Sequence, residues 1–274
     1  MFGSIKQQAR TLLCLAVLLM FCTASHAQFT FGTTGLLHLP TADMQRDKTF
    51  MGGGTLLNLH STPSTWNYNT YNYYIGLTFF PWMEVTYTCT LFSAKSLGVD
   101  KYPYTKGHFS NQDRNFGLRL RLWKEGWWKT WTPQIVFGAN DVLHTREKGS
   151  SLGQIGVTST SNGYWGRFYI AATKHFDFQG IGNLGAHAVY FIDNNRTGFL
   201  YNGLGAGVNF QFATPGDNFG QKLLNRMNVM AEYDTREGSI GMHIAVWKDM
   251  FNIATELYGC KHLSVGAYMK IHLR

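Results

Sequence analysis

From Tyr71 to Leu91 the chain alternates apolar and polar side chains, breaks at Phe80-Pro81 and then resumes the alternation. A strand sends successive side chains to opposite faces, so Tyr71, Tyr73, Ile75, Leu77 and Phe79 share one face and Asn72, Tyr74, Gly76 and Thr78 the other. Past the proline, Met83, Val85, Tyr87, Cys89 and Leu91 oppose Glu84, Thr86, Thr88 and Thr90. The pattern predicts a hairpin with one apolar and one polar face. Each arm has the roughly 9 to 11 residues that a tilted strand needs to cross a bilayer.

The same period recurs along the chain. At 51–59, Met51, Thr55, Leu57 and Leu59 oppose glycines and Asn58. At 114–123, Phe116, Leu118, Leu120 and Leu122 oppose Asn115, Gly117, Arg119 and Arg121. Further alternating stretches cover 133–140, 164–174 (Phe168, Ile170 and Ala172 against Arg167, Tyr169 and Thr173) and 184–192. The C-terminal third adds 204–212, 227–234, 240–247, with Trp247 placed on the polar face beside His243, then 251–258 and 263–271. Twelve strands are expected, an even number as in bacterial single-chain barrels. A short helical turn fits "NFGQKLLNRM" at 218–227.

If connections alternate sides, the two longest gaps, 93–113 and 143–163, fall at one end, while Trp82, Trp123, Trp127, Trp128 and Trp131 gather at the other as an aromatic girdle would. The alternative is a soluble, secreted β-sandwich, whose inner faces also alternate. The polar faces here are rich in Gly, Asn and Thr and sparse in charge, which suits a narrow lumen better than a solvated outer surface. The fold class expected is therefore all-β, a transmembrane antiparallel β-barrel of about twelve strands whose apolar face meets lipid.

The N-terminus changes the compartment rather than the fold. A basic stretch with Lys6 and Arg10, the apolar run "TLLCLAVLLMFC" and small residues at Ser25 and Ala27 read as a signal peptide over 1–27, cleaved after Ala27. An irregular segment at 28–49, which could line the lumen or dock a periplasmic partner, and a barrel at 50–274 would follow. Of 24 Lys and Arg, two lie in the leader, leaving 22 against 16 Asp and Glu, or about +6. That excess suits phosphate-bearing glycolipids or acidic glycans, and equally a solvated basic surface. Beyond the leader only Cys89 and Cys260 remain, which implies no disulfide framework. No metal-ligand spacing and no cofactor motif is present; "NGLGAGVN" (202–209) lacks the context of a nucleotide loop and fits inward strand glycines instead.

The charged residues expected on the lumen face are Glu84, Arg119, Arg121, Arg167, Glu232, Asp234 and Glu256. Arg119 and Arg121 stand about 7 Å apart along one strand. They either bind an anionic sugar and set pore selectivity, or pair with Glu84, Glu232, Asp234 or Glu256 and close the lumen. His243 and Glu232 share a face on neighbouring strands, so a general-base pair is conceivable, but no nucleophile accompanies it and no enzyme is expected. The outer connections "KYPYTKGHF" (101–109) and "HTREKGSS" (144–151) mix cations with aromatics, as glycan or lipopolysaccharide contact would require.

The segment "GLLHLPTADMQRDKTFMGGG", 35–54, resembles the opening of the YjbH family of outer-membrane proteins, through Gly35, Leu36, Pro40, Thr41, Ala42, Met44, Asp47 and Phe50. "VMAEYDTREGSIGMHIAVW", 229–247, is similar to that family's late hairpin, with Ala231, Glu232, Tyr233 and Asp234 carrying the match. The resemblance implies an outer-membrane β-barrel linked to making, exporting or modifying exopolysaccharide. The expectation is a non-catalytic barrel in the outer membrane of a Gram-negative bacterium that supports exopolysaccharide or capsule export. A small passive or substrate-selective channel and a surface-binding structural barrel are the alternatives. Expected partners are outer-membrane lipid and lipopolysaccharide, anionic polysaccharide, and periplasmic or outer-membrane export proteins, with no nucleic acid.

Overall fold

The structure is a computed structural model that describes residues 30–63, 68–93, 109–141, 143–145, 152–155, 165–193 and 202–273. The expected leader, residues 101–108 and 146–151 lie outside the described residues. The strands are β1 (Thr49–Leu57), β2 (Thr70–Phe80), β3 (Met83–Ser93), β4 (Phe109–Trp123), β5 (Gln134–Asn140), β6 (Leu143–Thr145), β7 (Leu152–Ile155), β8 (Arg167–Phe178), β9 (Gly182–Asp193), β10 (Gly203–Phe212), β11 (Met227–Tyr233), β12 (Gly238–Trp247), β13 (Phe251–Tyr258) and β14 (His262–His272). A helix, α1 (Phe219–Leu224), capped by the Asn218 side chain, sits within the turn-forming stretch 218–227.

Twelve of these strands pair antiparallel with their chain neighbours and close on themselves through β1 and β14, while β6 and β7 make a separate two-stranded sheet in the β5–β8 connection. The sheet is a closed barrel, not a sandwich. Closure leaves no edge whose N–H and C=O groups need another partner.

Alternation decides which face is buried. Tyr74, Thr78, Glu84, Thr86, Asn115, Arg119, Tyr169, Thr173, Asn228, His243, Asn252, Glu256, Ser264 and Lys270 point inward and are buried, whereas Ile75, Leu118, Ile170, Tyr190, Leu204, Ile240, Ile253, Leu263 and Met269 are exposed on the outside. Two faces depart from the expected pattern. In β1 the apolar side turns inward: Met51, opposite Gly76 and Lys270, packs with Tyr74 and Tyr268, and Leu57 joins the interior core. Trp247 is exposed because a register shift between Ala245 and Trp247 ends the alternation that would have turned it inward.

The chain enters β1 and leaves β14 at one end of the barrel, where Leu273 N donates to Lys48 O. The turns β2–β3, β4–β5, β8–β9, β10–β11 and β12–β13 lie at this end, and exposed Trp82, Trp127, Trp128, Trp131 and Trp247 lie in or beside them. Trp165 is elsewhere, buried edge-on to Phe31 at 5.8 Å.

Candidate functional site: the occupied lumen

Eight strands enclose an interior that side chains alone can fill, and twelve leave more room. Residues 30–45 occupy it, and 46–48 lead from its end into β1. A bridge between Gly35 and Pro40, with Leu36 N donating to Leu39 O at 2.9 Å, folds the middle of this segment into a tight hairpin. Leu36, Leu37, Leu39, Ala42 and Met44 pack in one cluster with inward-facing Val136, Tyr169, Ala171, Val189, Phe191, Met230 and Ala254. Three wall positions must be small for this fit: a Cβ on Gly205 would lie 2.6 Å from Leu39 Cδ1. A Cβ on Gly207 would lie 2.6 Å from Leu36 Cδ1, and one on Gly241 would lie 2.5 Å from Leu37 Cδ2.

A segment without regular structure carries backbone groups that the wall must satisfy. Glu232 takes three of them: its carboxylate accepts from Leu37 N (2.9 Å), His38 N (2.6 Å) and Leu39 N (3.2 Å). Glu84 accepts from Thr34 N at 2.7 Å and Thr34 Oγ1 at 2.8 Å, and also pairs with Arg119 Nη1 at 3.1 Å. Arg119 Nη2 donates in turn to the carbonyls of Thr41 and Asp43. Arg167 donates to His38 O at 2.9 Å while its guanidinium lies 4.1 Å from the centre of the Phe191 ring and 5.1 Å from that of Phe31. Ala42 N donates to Thr173, and Gln134 donates to Ala42 O. Asn72 and Thr88 donate to the carbonyls of Thr30 and Phe31.

The expected charged residues therefore split by role. Glu84, Arg119, Arg167 and Glu232 hold the inner segment, and Glu256 meets His38 Nε2 at 2.7 Å. Asp234 serves its own turn, accepting from Arg236 N and Glu237 N. Arg121 is partly exposed near the terminal end and has no ion pair among the described residues, so it does not share a site with Arg119. His243 hydrogen-bonds Tyr268 at 2.7 Å and lies opposite Asn228, four residues or about 13 Å along β11 from Glu232, so the two form no acid–base pair.

Three contributors had no signal of this kind in the chain. His38, Asp43 and Glu125 join the network only through the inner segment's path. His175 contacts Glu125 at 2.7 Å and Asp43 at 3.4 Å, and Lys174 contacts Glu125 at 2.6 Å, which ties the β4–β5 turn to the segment's exit. Burial alone would push the Asp43 carboxyl up, but His175, with His187 and Arg119 beyond it, holds it below its ordinary value.

Burial would likewise push His38 down, but Glu256, with Glu232 and Asp234 behind it, raises it from 6.5 to about 9. A raised folded pKa makes this contribution complete below about pH 6.5 and loses it as pH climbs through about 9. Amide protection at residues 37–39, corrected for intrinsic exchange, is accordingly expected to fall between pH 7 and pH 10. In His38→Gln that fall should be absent. Equal protection of the wild type at both pH values would remove His38 from the set of restraints.

Residues 27–194 match the family described as exopolysaccharide biosynthesis protein YbjH, the YjbH family. The uncharacterized lipoprotein YjbH of Escherichia coli K12 is 32% identical over 117 residues, covering 42% of this chain and 14% of that protein. The match thus spans a small part of the relative's length. Among solved structures, the outer membrane phospholipase dimer of Salmonella typhi with bound calcium superposes with a TM-score of 0.37 at 12% identity, covering 90% of this chain and 94% of that one. The outer membrane phospholipase A of Escherichia coli gives 0.36 at 11%, over 83% and 90%. Likeness at that level carries no argument about activity.

Proposed function

This chain belongs to the YjbH exopolysaccharide biosynthesis family, and from that premise we propose that it is an outer-membrane barrel, closed by its own N-terminal segment, that supports surface polysaccharide export or assembly without catalysing a reaction. The observation that carries the membrane reading is the inverted distribution of side chains: the wall's charged and amide groups are mostly inside, while Ile75, Leu118, Ile170, Leu204, Ile240, Ile253 and Leu263 are exposed outside. In water such a surface would be a large exposed apolar patch, whereas in a bilayer it is the favourable one. Exposed aromatics in or beside every turn at the terminal end, namely Phe80 and Trp82, Trp127, Trp128 and Trp131, Phe178, Phe219, and Trp247 and Phe251, sit where an interfacial belt belongs. The non-catalytic reading rests on the lumen's carboxylates and arginines, most of which are engaged in holding the inner segment rather than facing open space.

The experiment is fractionation of the native protein followed by electrophoresis with and without boiling. An outer-membrane band that migrates faster unboiled is expected, together with reduced surface polysaccharide in a deletion strain. A soluble periplasmic protein with no heat shift would defeat the membrane reading. Unchanged polysaccharide in the deletion strain would defeat the export role.

A further inference from the structure

The β4–β5 connection, 124–133, is much longer than the neighbouring two- and three-residue turns at the same end and carries the sequence KEGWWKTWTP. It is pinned from within: Gly126 N donates to Thr132 O, Trp127 N to Lys124 O and Thr132 N to Lys129 O, and Thr132 Oγ1 donates to Lys129 O as well. Glu125, its single acidic residue, is turned back onto Lys174 and His175. What remains facing outward is Lys124, Lys129 and three tryptophans, each roughly two-thirds exposed. Keeping three indoles in water on a rigid turn is unfavourable unless something covers them.

We propose that this turn is a binding surface for anionic phospholipid headgroups, with the indoles of Trp127, Trp128 and Trp131 in the interfacial layer and Lys124 and Lys129 on lipid phosphates. The proposal rests on the membrane reading above and adds a lipid class and the residues that select it. Two observations favour lipid over a sugar chain. The rings form no shared stacking plane: Trp128 and Trp131 are inclined at 61° and Trp123 and Trp127 at 75°, and Lys129 Nζ covers one face of Trp128 at 4.7 Å. The turn also continues the belt of exposed aromatics at the other turns of this end. With Glu125 withdrawn, the outward charge is purely positive, complementary to an anionic leaflet.

The test reconstitutes full-length protein into vesicles of phosphatidylcholine alone or mixed with phosphatidylglycerol, and compares tryptophan quenching by brominated chains of each lipid. Phosphatidylglycerol is expected to quench severalfold more strongly. The preference should disappear in Lys124→Gln/Lys129→Gln while the heat-shifted mobility stays. Subtracting the signal of Trp127→Phe/Trp128→Phe/Trp131→Phe assigns the quenching to this turn. Equal quenching by the two lipids would overturn the proposal with the barrel intact. So would quenching of the same indoles by soluble oligogalacturonate, which would assign the turn to acidic glycan. A wild type that inserts into neither vesicle would overturn the membrane reading itself.

Discussion

Deleting residues 30–48 is expected to raise ion conductance in planar bilayers about tenfold or more, because a twelve-stranded wall encloses more space than its own side chains fill. The segment's leucines and the wall's Val136, Val189, Phe191 and Met230 cover one another, and the segment's backbone lies against polar groups from β2, β3, β4, β5, β8 and β11. Removing it hands that surface to water. Loss of Leu36, Leu37 and Leu39 alone forfeits about 1.5–3 kcal/mol each of apolar burial, so the deleted barrel should also lose its heat-shifted mobility at a lower temperature. A deletion that fails to fold would be uninformative about conductance, and Gly207→Val supplies the second variant. The added side chain collides with Leu36, whose Cδ1 would lie 2.6 Å from the new Cβ, costing about 1–3 kcal/mol by overpacking, and should loosen the segment without deleting it. The expected signature is intermittent current. If both variants fold and stay closed, the segment is not what occludes the lumen.

Much of the barrel could be read from period two alone, since each of the twelve strands appears as an alternating stretch near its observed position. The exceptions have a common cause. Alternation reports which face is apolar, not which solvent that face meets. In β1 the apolar face meets the inner segment, so Met51 and Leu57 turn inward. In β5 and β9 the polar face carries apolar residues: Val136 stands on the face of Gln134 and Asn140, and Val189 and Phe191 on that of His187. An apolar residue on the polar face of a barrel strand marks contact with something inside, and these positions were the readable trace of the inner segment's docking site. Trp247 reads from the alternation as an inward residue because a register shift leaves no mark on composition.

The polar restraints were legible only as a list of charges. Glu84, Arg119, Arg167, Glu232 and Glu256 all fall on inward positions, but ordinary lumen charges would do so too. What distinguishes them is the partner, a backbone whose hydrogen-bonding groups have no side-chain signature. The stretch 35–54, inside the family match, and 229–247, which lies beyond it, are nearly two hundred residues apart in the chain, and they meet at the Glu232 carboxylate. Two stretches that read as independent in sequence are thus two halves of one contact.

Glu232→Ala is accordingly expected to destabilise the docked segment by about 3–5 kcal/mol, the cost of stripping a buried charge partner from groups that stay buried. Three amide donors, those of Leu37, His38 and Leu39, lose their acceptor at once, and a methyl group offers no replacement. Glu232→Gln keeps one acceptor oxygen but turns an N–H₂ toward backbone N–H groups, so it should cost less, about 1–2 kcal/mol. His38 complicates the first variant only slightly, because Glu256 remains at 2.7 Å to support its charge. Denaturant midpoints in vesicles measure the total effect, and exchange at residues 35–40 localises it. The decisive comparison repeats Glu232→Ala in the barrel lacking 30–48. If the carboxylate acts by holding the segment, the substitution there should cost nothing and should relieve an unpaired lumenal charge. An equal loss in both backgrounds would mean that Glu232 stabilises the wall itself, and the contact between 35–54 and 229–247 would then be incidental to the fold.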